Sequence, residues 1–271
     1  AFSEKAVEFI NESSQPFMMY LAYNAVHTPM QATDEDMAKF EGHPRQKLAA
    51  MTYALDRGVG TVIRGLKDSG KFDNTLIFFL SDNGGATTNQ SSNYPLKGFK
   101  GNKFEGGHRV PYFVVWKNGI PAGKPYDGLV SSLDIFATAI DAASISKTRN
   151  RLDGVSLLPY LKGKKGEPHK VLYWRKMDTR AIRSGDYKLI ITHGVDSVLY
   201  NIRRDPEEMN NLINKEPDLY RKLAKKLAKW EKNECIEPSW LEEGWRKITN
   251  RYHQQLMHNE IKTAQDLYKK K

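Results

Sequence analysis

Thr75-Leu76-Ile77-Phe78-Phe79-Leu80-Ser81-Asp82-Asn83-Gly84-Gly85 changes character at one residue. Through Leu80 it is apolar without alternation, which reads as a strand buried on both faces. From Ser81 it is polar or glycine, as expected where a strand ends. Upstream, Leu48, Met51, Leu55, Val59, Val62 and Leu66 recur at three- and four-residue steps and predict an amphipathic helix closed by Gly70. Earlier still, residues 17–23 form another run apolar on both faces, read as a strand after Pro16, and residues 3–12 carry a short helical pattern. A loop rich in Pro, His and Thr separates that run from the helix. Strand, loop, helix, strand, loop is a βαβ rhythm and predicts a parallel sheet wrapped by helices. Ligands of such sheets bind beyond the carboxyl ends of the strands. The loop with His27 and the loop with Asp82-Asn83 both leave the sheet there.

Downstream, a third strand is expected over 110–116 and a helix over 132–143. The composition changes after Lys162. Gly163-Lys164-Lys165-Gly166 reads as a linker, and strand-like pieces at 171–175, 180–183, 187–192 and 197–202 are separated by turn residues at Gly185-Asp186 and Gly194. A small antiparallel sheet follows from that spacing. A helix over 217–232 places Leu219, Leu223, Leu227 and Trp230 on one face. Ser239 and Glu242 form a capping box before a last amphipathic helix carrying Leu241, Trp245, Ile248, Tyr252 and Leu256. The expected domains are 1–163, an incomplete α/β domain; 164–234, a small α+β subdomain; and 235–271, a helical tail.

The 271 residues carry 42 Lys+Arg against 32 Asp+Glu, and the net charge of +10 favours polyanionic partners. At 39% hydrophobic the chain can bury a core, yet no apolar run approaches the ~20 residues that cross a bilayer. The single Cys235 excludes an internal disulfide and a cysteine-rich zinc site. Lysines at 164, 165, 170, 222, 225, 226 and 229 make a basic stripe, but no nucleic-acid motif accompanies it, so no nucleic-acid partner is expected.

Three loop positions offer chemistry. Asp82 and Asn83 put a carboxylate beside an amide carbonyl, hard oxygen ligands suited to Ca²⁺ or Mg²⁺, or simply the polar residues of a turn. Lys100, flanked by Gly98 and Gly101, suits a sulfate or phosphate oxygen or a leaving-group proton, or is a solvated charge. His27 can donate to an oxyanion or shuttle a proton, or is an ordinary surface histidine.

Their order along the chain carries more than each alone. Residues 16–29, Pro-Phe-Met-Met-Tyr-Leu-Ala-Tyr-Asn-Ala-Val-His-Thr-Pro, resemble the PFFLYLAYNAPHTP segment of the type I, formylglycine-dependent sulfatases. Ser81-Asp82-Asn83-Gly84-Gly85 is similar to their SDNGG, Pro95 to Gly101 to their PLRGGKG, and Phe104 to Pro111 to their FEGGVRVP. The blocks at 131–135, 152–157 and 200–208 resemble later signatures of the same family. The resemblance implies an alkaline-phosphatase-like α/β fold with a small C-terminal sheet-and-helix subdomain. It implies Asp82 and Asn83 as calcium ligands (magnesium being the alternative), and Lys100 on the sulfate group and scissile ester oxygen. His27 would bind a sulfate oxygen and protonate the departing alcohol. Lys97, where the family has Arg, and His193, in a turn of the small sheet, are candidate substrate contacts. Glu105 and Arg109 are expected to buttress the loop.

The family's Cys/Ser-x-Pro-x-Arg motif, whose Cys or Ser becomes formylglycine, does not occur in this sequence. The chain is therefore expected to be the C-terminal portion of a sulfatase, inactive by itself, with formylglycine in the missing N-terminal portion. An uncovered sheet edge would permit dimerisation. The expected partner is a sulfated carbohydrate or other sulfate ester, in the periplasm, outside the cell or in lysosomes. The alternative is a non-catalytic protein that binds sulfated glycans. Asn11 and Asn89 head glycosylation sequons.

Overall fold

The structure is a computed structural model that describes residues 1–89, 91–145, 151–235 and 242–269. Its elements, in chain order, are α1 (Phe2–Glu12), α2 (Asp34–Ala38), α3 (Gln46–Asp68), β1 (Ile77–Leu80), α4 (Glu105–His108), β2 (Tyr112–Val115), α5 (Asp134–Ala142) and α6 (Leu158–Leu161). They continue with β3 (Val171–Lys176), β4 (Thr179–Ser184), β5 (Tyr187–Thr192), β6 (Asp196–Asn201), α7 (Pro217–Glu234), α8 (Glu243–Met257) and α9 (Asp266–Lys269). The chain forms two compact units, Ala1–Phe78 with Val114–Lys124, and Phe79–Phe113 with Pro125–Lys271.

In the first unit α1 packs on α3 through Ala6 and Ile10, both buried. The crossing is close because Gly65 of α3 lies under Val7, where an added Cβ would sit 2.7 Å from a valine methyl. Lys71, just past α3, donates its ammonium to the carbonyls of Ile10 and Ser13 (2.9 Å to the latter) and so satisfies the C-terminal end of α1. The predicted helix terminator holds: Gly70 has φ +69°, the left-handed conformation that ends a helix. Residues 17–23 depart from expectation. They carry no strand ladder, and Met18 and Tyr20 are 70% and 89% exposed. Apolarity on both faces reports a propensity to be covered, whereas a strand also needs a neighbouring backbone, and β1 pairs instead with β2.

Asp36 supplies a pH-sensitive tie in this unit. Its carboxylate accepts two hydrogen bonds from the Arg57 guanidinium, at 2.6 and 2.8 Å, and one from the Thr33 hydroxyl at 3.1 Å. The guanidinium holds the Asp36 carboxyl down to about 2, against its burial and with help from Thr33. A depressed carboxyl stabilises the fold above its unfolded value of about 3.9. That stability is lost as pH falls through the folded value. Asp36→Asn should therefore be less stable than the parent at pH 6, with the gap closing between pH 4 and 2 in an acid titration followed by circular dichroism. A gap still full-sized at pH 2 would contradict the pairing.

In the second unit β3 to β6 form an antiparallel meander in sequence order. Both faces are covered. Ile182, Leu189 and Leu199 pack against Leu223 and Leu227 of α7, while Ala181, Ile190, Val198 and Tyr200 pack against Phe99, Phe104, Leu256 and Met257. Loop 99–104 and α8 thus cover the face opposite α7. The turn at Gly194 has φ +69° and open space around it, as a tight hairpin requires. The expected cap Ser239 lies outside the described residues, and α8 begins after Glu242.

Two further blocks are tied together by Asp134. Its fully buried carboxylate accepts from the Ser131 amide (2.7 Å) and the Val155 amide (2.9 Å), and its Oδ1 lies 2.7 Å from the His169 ring. The blocks at 131–135 and 152–157 are accordingly structural. Of the two sequon asparagines, Asn11 is exposed, whereas Asn89 is buried and its Oδ1 accepts from the Ser91 hydroxyl at 2.6 Å, which removes it as a modification site. No described helix is long and apolar enough to cross a membrane.

Candidate functional site

β1 ends at Leu80, and the chain turns at once. The Ser81 hydroxyl donates to the Asn83 carbonyl (2.8 Å), and the Asn83 side-chain amide donates to the Asp82 carboxylate. Asp82 is exposed and Asn83 half-buried. Backbone bonds lock this turn to the next two motif loops. Gly84 N donates to Gly107 O (3.1 Å), Lys100 N to Gly85 O (2.9 Å), and Gly106 N to Lys97 O (2.7 Å). Asn93 joins the same knot, accepting from Gly85 N at 2.8 Å and donating to Gly98 O at 3.0 Å. The glycines are needed for space: a Cβ on Gly84 would stand 1.8 Å from the Gly106 carbonyl oxygen. Asp82, Asn83 and the exposed Lys100 are thereby held in one backbone-bonded cluster.

Whether a dication fits can be judged from the donors. The amide nitrogen of Asn83 is turned to Asp82, leaving its carbonyl oxygen and the second Asp82 oxygen for a cation. These are two hard donors, suited to Ca²⁺ or Mg²⁺ but short of the six to eight oxygens that Ca²⁺ takes. No group of three or more His, Cys, Asp or Glu side chains able to hold a metal occurs among the described residues. The pair fits as part of a shell.

His27 belongs to the first unit. It is exposed, its backbone N closes a turn onto Asn24 O (2.9 Å), and its Nδ1 donates to Thr28 O at 2.5 Å. That bond assigns the proton to Nδ1.

Lys97 does not reach the open edge. Its ammonium is wholly buried, donates to Glu208 O (3.0 Å) and Asn259 Oδ1 (2.5 Å), and lies over the Phe104 and Tyr200 rings. Burial lowers its pKa to about 8. Its position makes it an internal tie between the motif loop and the C-terminal segment, whereas the sequence reading expected a substrate contact. His193 is exposed in the β5–β6 turn, with its N donating to Asp178 O (3.0 Å), at the sheet end that also carries Lys176.

Beneath the knot lies an ion network that the sequence reading found only in part. Glu105 and Glu208 converge on Lys188 of β5, at 2.8 and 3.0 Å, and Glu208 Oε2 accepts from the Glu105 amide at 2.6 Å. Lys188 and Glu208 are fully buried. Burial alone would raise Glu105, but the Lys188 charge and His108 outweigh it and hold this carboxyl well below the usual range. Burial pushes Glu208 up to about 7 despite the same lysine. The His108 ring packs at a tilt of 37° on Trp174, 4.5 Å between ring centroids, and burial takes its pKa down to about 4. Lys188 escapes a period-two reading because its face of the sheet, shared with Ile190, is covered by the motif loop.

A family model described as Sulfatase matches residues 1–145, and one described as N-sulphoglucosamine sulphohydrolase, C-terminal, matches residues 100–233. An uncharacterized sulfatase of Escherichia coli K12, YdeN, is 44% identical over 167 residues, covering 59% of this chain and 30% of its own length. N-acetylgalactosamine-6-sulfatase of Canis lupus familiaris is 32% identical over 195 residues, covering 69% of this chain and 37% of its own. Among solved structures, Ps i-CgsB in complex with k-i-k-neocarrahexaose superposes with a TM-score of 0.82 at 35% identity, over 96% of this chain and 60% of that one. The chain thus spans about a third of the length of these curated relatives.

Proposed function

The chain belongs to the sulfatase family, and we propose that the whole protein hydrolyses sulfate esters of a sulfated carbohydrate. The observation that carries this reading is the knot itself: an exposed lysine and a pair of hard oxygen donors held on one backbone-bonded frame. The Lys100 ammonium would donate to the sulfate oxygens and to the scissile ester oxygen, where negative charge grows as the S–O bond breaks. His27, with Nδ1 held by Thr28 O, would carry on Nε2 the proton that the departing alcohol needs. Asp82 and Asn83 would hold part of the shell of a Ca²⁺ or Mg²⁺ ion, which when bound supplies further positive charge to the sulfate oxygens. No Cys/Ser-x-Pro-x-Arg motif occurs here, and Cys235 follows α7, so the proposal assigns the formylglycine nucleophile to the remainder of the whole protein. The compartment proposed is periplasmic, extracellular or lysosomal, where sulfated glycans are met.

Sulfate release from a sulfated oligosaccharide by the whole protein tests the reading. Lys100→Ala should lower kcat about 10²–10³-fold, the loss typical of removing one donor from a charged transition state. Asp82→Asn should raise the Ca²⁺ concentration needed for half-maximal rate. Unchanged kcat in Lys100→Ala refutes the assignment of Lys100. Tight glycan binding without any sulfate release would favour the second reading, a sulfated-glycan-binding protein.

A further inference from the structure

Lys100 has cationic company from its own loop and from β3. Lys103 lies two residues past Gly101 in the same loop, half-buried. Lys176 ends β3, on the same face as Trp174 by the two-residue period of a strand, and Trp174 packs at a tilt against His108 beside this loop. The Lys176 ammonium reaches the loop itself, because a Cβ added to Gly101 would lie 2.9 Å from its Nζ. The charged groups acting on Lys103 are Lys176 and Lys188, and the one acting on Lys176 is Lys100. Glu105 and Glu208 are taken up by Lys188.

Two buried polar groups beside these lysines lack a partner. His253 of α8 is fully buried, its Nδ1 lies 2.8 Å from Thr249 O, and its Nε2 has no hydrogen-bond partner while standing within electrostatic reach of Lys103 and Lys176. Asn102, between Gly101 and Lys103, accepts from Phe104 N at 3.1 Å, and its buried Nδ2 is also unpartnered. Burial, then Lys176 and Lys188, lower Lys103 to about 8, and burial with Lys100 lowers Lys176. Clustered like charges beside unsatisfied polar groups are unfavourable without an anion to share.

We propose that Lys103 and Lys176, beside Lys100, form a second oxyanion subsite that takes a further sulfate ester of the same glycan, so that the substrate is polysulfated. The inference rests on the sulfatase reading for the identity of its ligand, and it adds two residues and a requirement to that reading. Lys103 belongs to a motif loop, whereas Lys176 comes from the small sheet. The subsite therefore gives the C-terminal sheet a part in choosing the substrate.

The test compares binding of a monosulfated and a disulfated form of one disaccharide to the full chain, by calorimetry at pH 7. The disulfated sugar should bind about 10-fold more tightly, equivalent to 1.4 kcal/mol. Lys103→Met and Lys176→Met should each remove most of that preference and leave the monosulfated affinity within about 2-fold, as for a group that meets only the added sulfate. Lys225→Met with Lys226→Met, on the exposed face of α7, should change neither. Above pH 8 the preference should fall, since anion binding then requires a proton on Lys103. Lys188 and Lys176 face that ammonium and His253 and His108 flank it, both histidines being neutral at that pH. Equal affinity for the two sugars, equal losses for both in the lysine variants, or the same loss in the α7 control would overturn the proposal. Sulfate release by the whole protein is scored apart. Retained preference without turnover overturns hydrolysis and leaves the subsite, and turnover without preference does the reverse.

Discussion

Lys188→Met should lower the stability of the chain by about 3–5 kcal/mol at pH 8, the cost of leaving buried charge without its partner. The Lys188 ammonium stands 2.8 Å from Glu105 and 3.0 Å from Glu208, both buried, and no other buried lysine pairs with either carboxylate among the described residues. Methionine is unbranched and one atom shorter, so it keeps most of the packing beside Ile190 and the loss reports chiefly the charge. Among the described residues Glu105 would then retain His108 at 3.5 Å and the longer approaches of Arg109 and Arg183. The penalty should shrink at pH 5, where a carboxyl stripped of its cation takes up a proton at smaller cost. Urea titrations at the two pH values measure this directly. A triple variant that also carries Glu105→Gln and Glu208→Gln should recover part of the loss, because the uncompensated charges are then gone. A single variant as stable as the parent at pH 8 would show that water reaches the carboxylates.

That network shows what the sequence displays and what it hides. Regular elements announce themselves through spacing: α3 through its three- and four-residue apolar steps, and the four strands of the small sheet through turn residues at Gly185 and Gly194. The loops that hold Asp82, Asn83 and Lys100 were legible because glycines and polar residues interrupt apolar runs at the sheet edge. Lys97 and Lys188 were not legible in the same way. A lysine in a loop or a half-sheet is ordinarily solvated, and only the packing of loop 99–104 and α8 over the β4–β6 face turns both inward. The strand expected at 17–23 fails for the complementary reason, since apolarity is local while pairing is not. Glu208 combines both cases: its block was recognised, but its φ of +55° and its carboxylate beneath Glu105 are set by tertiary contacts.

The knot that positions the candidate site should be broken by Gly84→Ala, with about a 10²-fold loss of whole-protein activity and 1–3 kcal/mol of stability. The clash is with backbone: the new Cβ would lie 1.8 Å from Gly106 O, 2.8 Å from its carbonyl carbon and 3.2 Å from Gly107 Cα. Neither side can yield cheaply. Gly106 is fixed by its own amide on Lys97 O (2.7 Å), and Gly84 by its amide on Gly107 O (3.1 Å). Relief requires the Asp82–Asn83 turn to move away from loop 98–107 by more than an ångström. That motion separates the hard oxygen donors from Lys100, whose amide is anchored on Gly85 O. Displacement of this size costs more in catalysis than in folding, since near-attack geometry tolerates less error than packing does. Gly194→Ala gives the contrast. Gly194 has φ +69° with nothing within 4 Å, so alanine there meets only the left-handed backbone penalty of about 1–2 kcal/mol. It should weaken the hairpin and leave kcat untouched. If Gly84→Ala matched Gly194→Ala in leaving kcat intact, the three loops would not be the frame on which the chemistry depends.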